Sequence, residues 1–321
     1  MPMSGSEAIS ENSGYAIFIT SILMNGPEGQ YLTVTRMSNG RFGKISDWSK
    51  VRSFTGFSTF HLSESDSASL VGGWRLLKFD GLDGLKSYES RALEDIRLFT
   101  WNDRIYGTAN LQLKAASELG FRPCLMSLTA VASELSVRDC VVLDPEHGLE
   151  DPWESEKNWC PLVDEISREL FLMRYFKPRH LYRYDSEERR ISLAHAEKGD
   201  PNTQYRSPSA PIRVLFQGRP CYLGILHSRS SRTRNYEYAT TYFIRFYLLE
   251  TAFPFELIGM TEPVYFDFYP QGFLYPFQIA PTSRQIEQMD SIIVTTNLHD
   301  TKTILFRVSL SDIFKNISGG A

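Results

Sequence analysis

The chain has 321 residues, room for one large domain or two small ones, and its 42% hydrophobic and 22% charged residues are those of an ordinary globular protein. A formal net charge of −4 implies no basic face, so nucleic acid is not expected as a partner. No run approaches eighteen apolar residues, so no helical membrane span is expected.

Residues 1–13 are small, polar and aperiodic and read as a disordered tail, leaving 14–321 as one domain. The opening MPMSGSEAISENSG has neither a basic region nor an apolar core, so it does not read as a signal peptide. The four cysteines, Cys124, Cys140, Cys160 and Cys221, show no C-x-x-C spacing. No metal site is expected, and a disulfide between two of them is left open. Together these features point to a reduced, cytoplasmic setting. Aromatics are abundant at 13%, but both sugar-binding clefts and β-cores use them, so composition does not choose.

Residues 15–23 (YAIFITSIL) read as a strand and 30–36 (QYLTVTR) as its alternating partner, with Asn25-Gly26-Pro27 between them and Arg36 at the end. Short strands follow at 58–62 and at 74–79 after Gly72-Gly73. Residues 93–109 (LEDIRLFTWNDRIYGTA) hold an acidic pair, Glu94-Asp95, and then Arg97. A strand over 98–101, an Asn102-Asp103 turn and a returning strand over 104–108 make a hairpin, with Asp95 just before its first strand. Strands are expected at 109–113, 124–128, 131–135 and 140–143.

The stretch DPWESEKNWCPL (151–162) reads as a polar loop plugged by Trp159. A strand over 170–176, a turn over 177–180 with a solvated His180, and a strand over 181–184 come next. Residues 186–207 are polar and charged and read as a loop. Another hairpin joins 211–216 to 221–227, ending in His227. A segment with Arg229, Arg232 and Arg234 leads to Tyr236, suiting an anion or simply a solvated surface. An aromatic strand over 238–250, late strands at 278–280, 291–296 and 303–309, and a short helical end at 311–317 complete the chain. Many short strands with turns every ten residues or so indicate an all-β sandwich, barrel or propeller.

Three segments resemble one group of proteins. Glu94-Asp95-Ile96-Arg97 before its hairpin resembles the E-D-P-R segment of five-bladed β-propeller glycosidases, most closely the mannoside phosphorylases and their mannosyltransferase relatives, with isoleucine in place of proline. Glu156, Lys157, Asn158, Trp159 and Pro161 match an E-K-N-W-x-P segment of the same group. His227 followed by Tyr236 is similar to the His and Tyr that hold inorganic phosphate in the phosphorylases. The resemblance implies an all-β, five-bladed β-propeller in a single domain.

It also implies a glycoside-active enzyme, a phosphorylase, transferase or hydrolase, acting on mannosides or related sugars in a central cleft. Asp95 would be the general acid, with Glu94 and Arg97 orienting the sugar or tuning it. Arg36, Glu156, Lys157 and Asn158 would line the cleft, and Arg97, Lys157, His227 and Tyr236 would bind phosphate where phosphate is the co-substrate. No other cofactor is implied, the partner is a small molecule, and the oligomeric state is left open. Glycosyl transfer needs a proton donor at the leaving oxygen and a nucleophile on the opposite face of the sugar. Two other functions stay open: a propeller redeployed for cyclisation or isomerisation of an apolar metabolite, and a non-catalytic binding module.

Overall fold

A computed structural model describes residues 16–27, 29–38, 53–63, 68–79, 90–115, 118–131, 134–143, 159–199, 205, 209–231, 240–264, 274–298 and 302–319. The expected tail lies outside these residues. They form five sheets in chain order, the blades of a five-bladed β-propeller.

Blade 1 holds β1 (Ala16–Met24), β2 (Gln30–Ser38), β3 (Ser53–Leu62) and β4 (Ala68–Leu76), each paired with the next. Blade 2 runs outward through β6 (Ser90–Trp101), β7 (Arg104–Ala115), β8 (Glu118–Val131) and β9 (Glu134–Val142), and β5 (Lys78–Phe79) lies parallel to β9 on its outer edge. Blade 3 holds β10 (Cys160–Val163), β11 (Leu170–Phe176), β12 (Arg179–Asp185) and β13 (Arg190–Ala196). Blade 4 holds β14 (Ile212–Phe216), β15 (Arg219–Ser231), β16 (Thr240–Leu249) and β17 (Leu257–Thr261). Blade 5 holds β18 (Leu274–Pro281), β19 (Ser291–Leu298) and β20 (Lys302–Ser309). The chain then turns through α1 (Leu310–Lys315) and adds β21 (Ile317–Gly319) antiparallel to β17, at the outer edge of blade 4.

A blade buries both faces against its neighbours, and the five apolar clusters are the five seams. Leu32, Val34 and Phe57 of blade 1 meet Ile96, Leu98 and Leu111 of blade 2. Phe99 and Trp101 meet Trp159, Leu170 and Tyr182 of blade 3. Leu162 and Phe171 meet Tyr247 and Leu249 of blade 4. Ile225 and Phe246 meet Ile292 and Val294 of blade 5, with Leu310 and Ile313 of α1 in the same cluster. Ala280 and Ile293 close on Ile22, Tyr31 and Phe60 of blade 1.

Some expected boundaries move. Asp95 sits inside β6, not ahead of it, at a bulge between the pairs Glu94–Asn110 and Arg97–Thr108. The strand expected at 131–135 is the end of β8 and the start of β9. Arg179 and His180 belong to β12 instead of a turn, and part of the loop expected over 186–207 is strand β13. All four cysteines are buried, and none forms a disulfide. Among the described residues, no helix is long and apolar enough to cross a membrane.

Candidate functional site

The Asn102-Asp103 hairpin sets the site's geometry. Both turn residues have positive φ, 48° and 58°, the two-residue turn whose twist matches that of the flanking strands. Regular pairing runs from Trp101–Arg104 to Arg97–Thr108 and then breaks. Asp95, at φ 55°, provides the extra residue. A left-handed conformation costs a residue bearing a Cβ about 1–2 kcal/mol, which aspartate tolerates better than most.

Around the bulge four charged side chains meet. Arg36, on β2 of blade 1, donates from Nη2 to Glu94 Oε1 at 2.8 Å and brings Nη1 to 4.0 Å from Asp95 Oδ1. Arg97 is buried at 1% exposure and donates from Nη1 to the Asp95 carbonyl at 3.0 Å. Asn110 Nδ2 approaches Asp95 Oδ2 at 3.5 Å. Glu94 is fixed by a short ion pair, whereas the Asp95 carboxylate has only these two long contacts among the described residues. It is enclosed, with its side chain 15% exposed, yet weakly committed to its own protein. A carboxyl held this way can turn an oxygen toward a substrate atom at little cost.

The structure thus brings together Arg36, Glu94, Asp95 and Arg97. His227 is buried in β15, four residues past Leu223, which pairs with Ile212 at the start of β14. Glu156, Lys157, Asn158 and Tyr236 lie outside the described residues. Trp159, beside the first three, is 2% exposed and packs on Tyr182 with ring centroids 5.1 Å apart, the plug expected of it. Arg174 lies over its ring.

Asn110 escaped the sequence reading although a signal for it was present. Counting back from the two-residue turn, positions whose numbers sum to 205 face each other, which sets Asn110 opposite Asp95 before the bulge shifts it to Glu94.

No family model matches the chain, and no curated protein matches it in sequence. Solved structures do match it in fold. A glycosyl hydrolase from Bacteroides ovatus superposes with a TM-score of 0.60 at 9% identity, over 96% of this chain and 87% of that one. A structure from the GH130 family of mannoside phosphorylases, described as containing hydrolases that target β-1,2-mannosidic linkages in Candida mannan, gives 0.55 at 12% identity, over 92% and 85%. A GDP-Man-dependent mannosyltransferase from Leishmania mexicana gives 0.51 at 12% identity, over 92% and 85%. The five-bladed propeller is shared with these proteins at very low identity.

Proposed function

We propose that this protein is a carbohydrate-active enzyme acting on mannosides or related sugars, with Asp95 as the general acid. The observation that carries the reading is the Asp95 carboxyl, enclosed, set on a strained bulge and held by long contacts to Arg36 and Asn110. The fold neighbours add support, because a hydrolase, a phosphorylase-family structure and a mannosyltransferase all use this architecture. Fold alone does not carry function, so the site bears the weight.

In this reading Asp95 gives its proton to the glycosidic oxygen as the bond to the anomeric carbon breaks. Phosphate or water attacks from the other face. Arg36 neutralises Glu94 and steadies the acidic pair. Arg97 is a positioning residue, since it is buried and spends Nη1 on the Asp95 carbonyl. Phosphate, where it is used, falls to His227, Lys157 and Tyr236.

The test is incubation of the full chain with β-1,2-mannobiose, with and without inorganic phosphate, and with GDP-mannose plus mannose, following mannose, mannose 1-phosphate and longer mannosides. Turnover in one arm, lost in Asp95→Asn, is expected. No turnover in any arm, or an undiminished Asp95→Asn, overturns the reading.

A further inference from the structure

The propeller axis has a second end, and it is built differently from the first. The last three residues of β1 (Ile22 to Met24), Leu98 to Thr100 of β6, Leu162 of β10 and Ile279 of β18 enclose a cavity of about 450 Å³. Ligand cavities in proteins fall in roughly this size range, ~300–1,000 Å³. Gln278 forms its floor, 3% exposed and hydrogen-bonded to Ile22 and Leu98. Asp95 precedes Leu98 by three residues, and cavity-lining Thr100 follows it by two. At ~3.3 Å per residue, the two ends of this stretch of strand are about 16 Å apart, with the Gln278 bridge between them.

We propose that this far end of the axis is a second binding site, taking a small organic anion with an apolar body. Polar and apolar groups share the walls about equally, and Ile22, Leu98, Leu162 and Ile279 supply apolar side chains. Three arginines, Arg168, Arg213 and Arg284, and one acid, Glu165, also line it. Glu165 is taken by an ion pair with Arg213. The side chains of Arg168 and Arg284, both exposed, make no ion pair or hydrogen bond among the described residues, so two positive charges stand there without a protein partner. Guanidinium groups match carboxylate, sulfonate and phosphate oxygens with two parallel N–H donors.

Both arginines spring from fixed backbone. Arg168, at φ 62°, donates its N–H to the Asp164 carbonyl at 2.9 Å and accepts Trp101 Nε1 on its own carbonyl at 2.8 Å. Arg284 follows buried Ser283, whose Oγ accepts the Gln285 N–H at 3.1 Å. Anchored backbones with free cationic heads, set around a partly apolar hollow, suit an anionic head with a hydrocarbon or aromatic body. This site stands independently of the sugar chemistry proposed at the other end.

The test titrates 1-anilinonaphthalene-8-sulfonate, an apolar ring system carrying a sulfonate, into the full chain and follows dye emission and Trp quenching. Saturable binding of one dye per chain is expected, weakened at least tenfold in the Arg168→Gln/Arg284→Gln double variant. Displacement by decanoate but not decanol, and unchanged binding in Asp95→Asn, are also expected. Unsaturable binding, an unaffected double variant, equal displacement by decanol, or loss in Asp95→Asn would each overturn the proposal.

Discussion

Asp95 is held by backbone geometry as much as by its neighbours, and its variants separate the two. Asparagine tolerates the left-handed conformation nearly as well as aspartate, so Asp95→Asn should leave the melting temperature nearly unchanged while removing the proton donor. Loss of a general acid costs ~10²–10⁴-fold in turnover, which product analysis would read directly. Valine at the same φ of 55° should fold less stably, by about 1–2 kcal/mol in a denaturant titration. Should Val and Asn melt alike, the bulge is not strained as described. His180, opposite Tyr175 on blade 3, makes a different prediction. Burial, then Arg174 and His195, push its pKa below the usual histidine value, with Glu197 opposing. The neutral imidazole is therefore favoured more in the folded than in the unfolded chain. Its contribution is fully present above pH 6.5 and is lost as the pH falls through the lowered value. Replacing His180 with Gln should flatten the fall in melting temperature between pH 7 and pH 5, and equal slopes in the two proteins would rule this out.

Among the elements, the β15–β16 pair shows how tightly the seams are filled. Gly224 faces Tyr247, whose hydroxyl-bearing carbon would lie 2.1 Å from a Cβ at position 224. Tyr247 is fully buried and packs on Phe176 across the blade 3–blade 4 seam. Gly224→Ala must displace that ring, and overpacking of this kind costs ~1–3 kcal/mol. A chemical denaturation midpoint unchanged in Gly224→Ala would show that the ring has room. Apolar runs bounded by turn residues, alternating in the case of β2, made most of these elements legible: β1, β2, β11, β14, β15 and β19 overlap the strands expected. Two strands were missed for different reasons: β10, buried at three of its four positions, was read as the end of a polar loop, and β13 had little apolar face to display. β13 is the outer strand of its blade, with exposed Arg190, Leu193 and Ala194 and only Ile191 buried, so its sequence alternates little and reads as a loop. At the candidate site, Glu94, Asp95 and Arg97 were legible from local sequence. Arg36 was expected in the cleft from the resemblance, and it reaches Glu94 from blade 1. The bulge was not legible, because it depends on a register slip against β7.

At the scale of the whole molecule, a propeller has an edge problem at its centre. Each innermost strand pairs outward, and its inner edge carries N–H and C=O groups that face the axis. Here one side chain from a third blade covers two of those edges. Gln278 of β18 donates from Nε2 to the carbonyls of Ile22 on β1 and Leu98 on β6, at 2.8 and 3.1 Å, and accepts the Ser21 hydroxyl on Oε1. Ser21 Oγ in turn accepts the Leu98 N–H at 2.7 Å. Gln278 and Ser21 are both buried. This places the bond between the last blade and the first two at the axis, while α1 and β21 carry the C-terminal end back to blade 4. Gln278→Leu has a similar volume but leaves two carbonyls and a hydroxyl without their partner. At ~1–3 kcal/mol for each stranded buried group, less what relaxation recovers, a loss of about 2–4 kcal/mol is expected in guanidinium unfolding. Because the same residue joins blades 5, 1 and 2, the loss should lower the midpoint of a single transition without splitting it. A variant that unfolds in two steps would show that the ring is stabilised blade by blade and that the axis does not couple its closure.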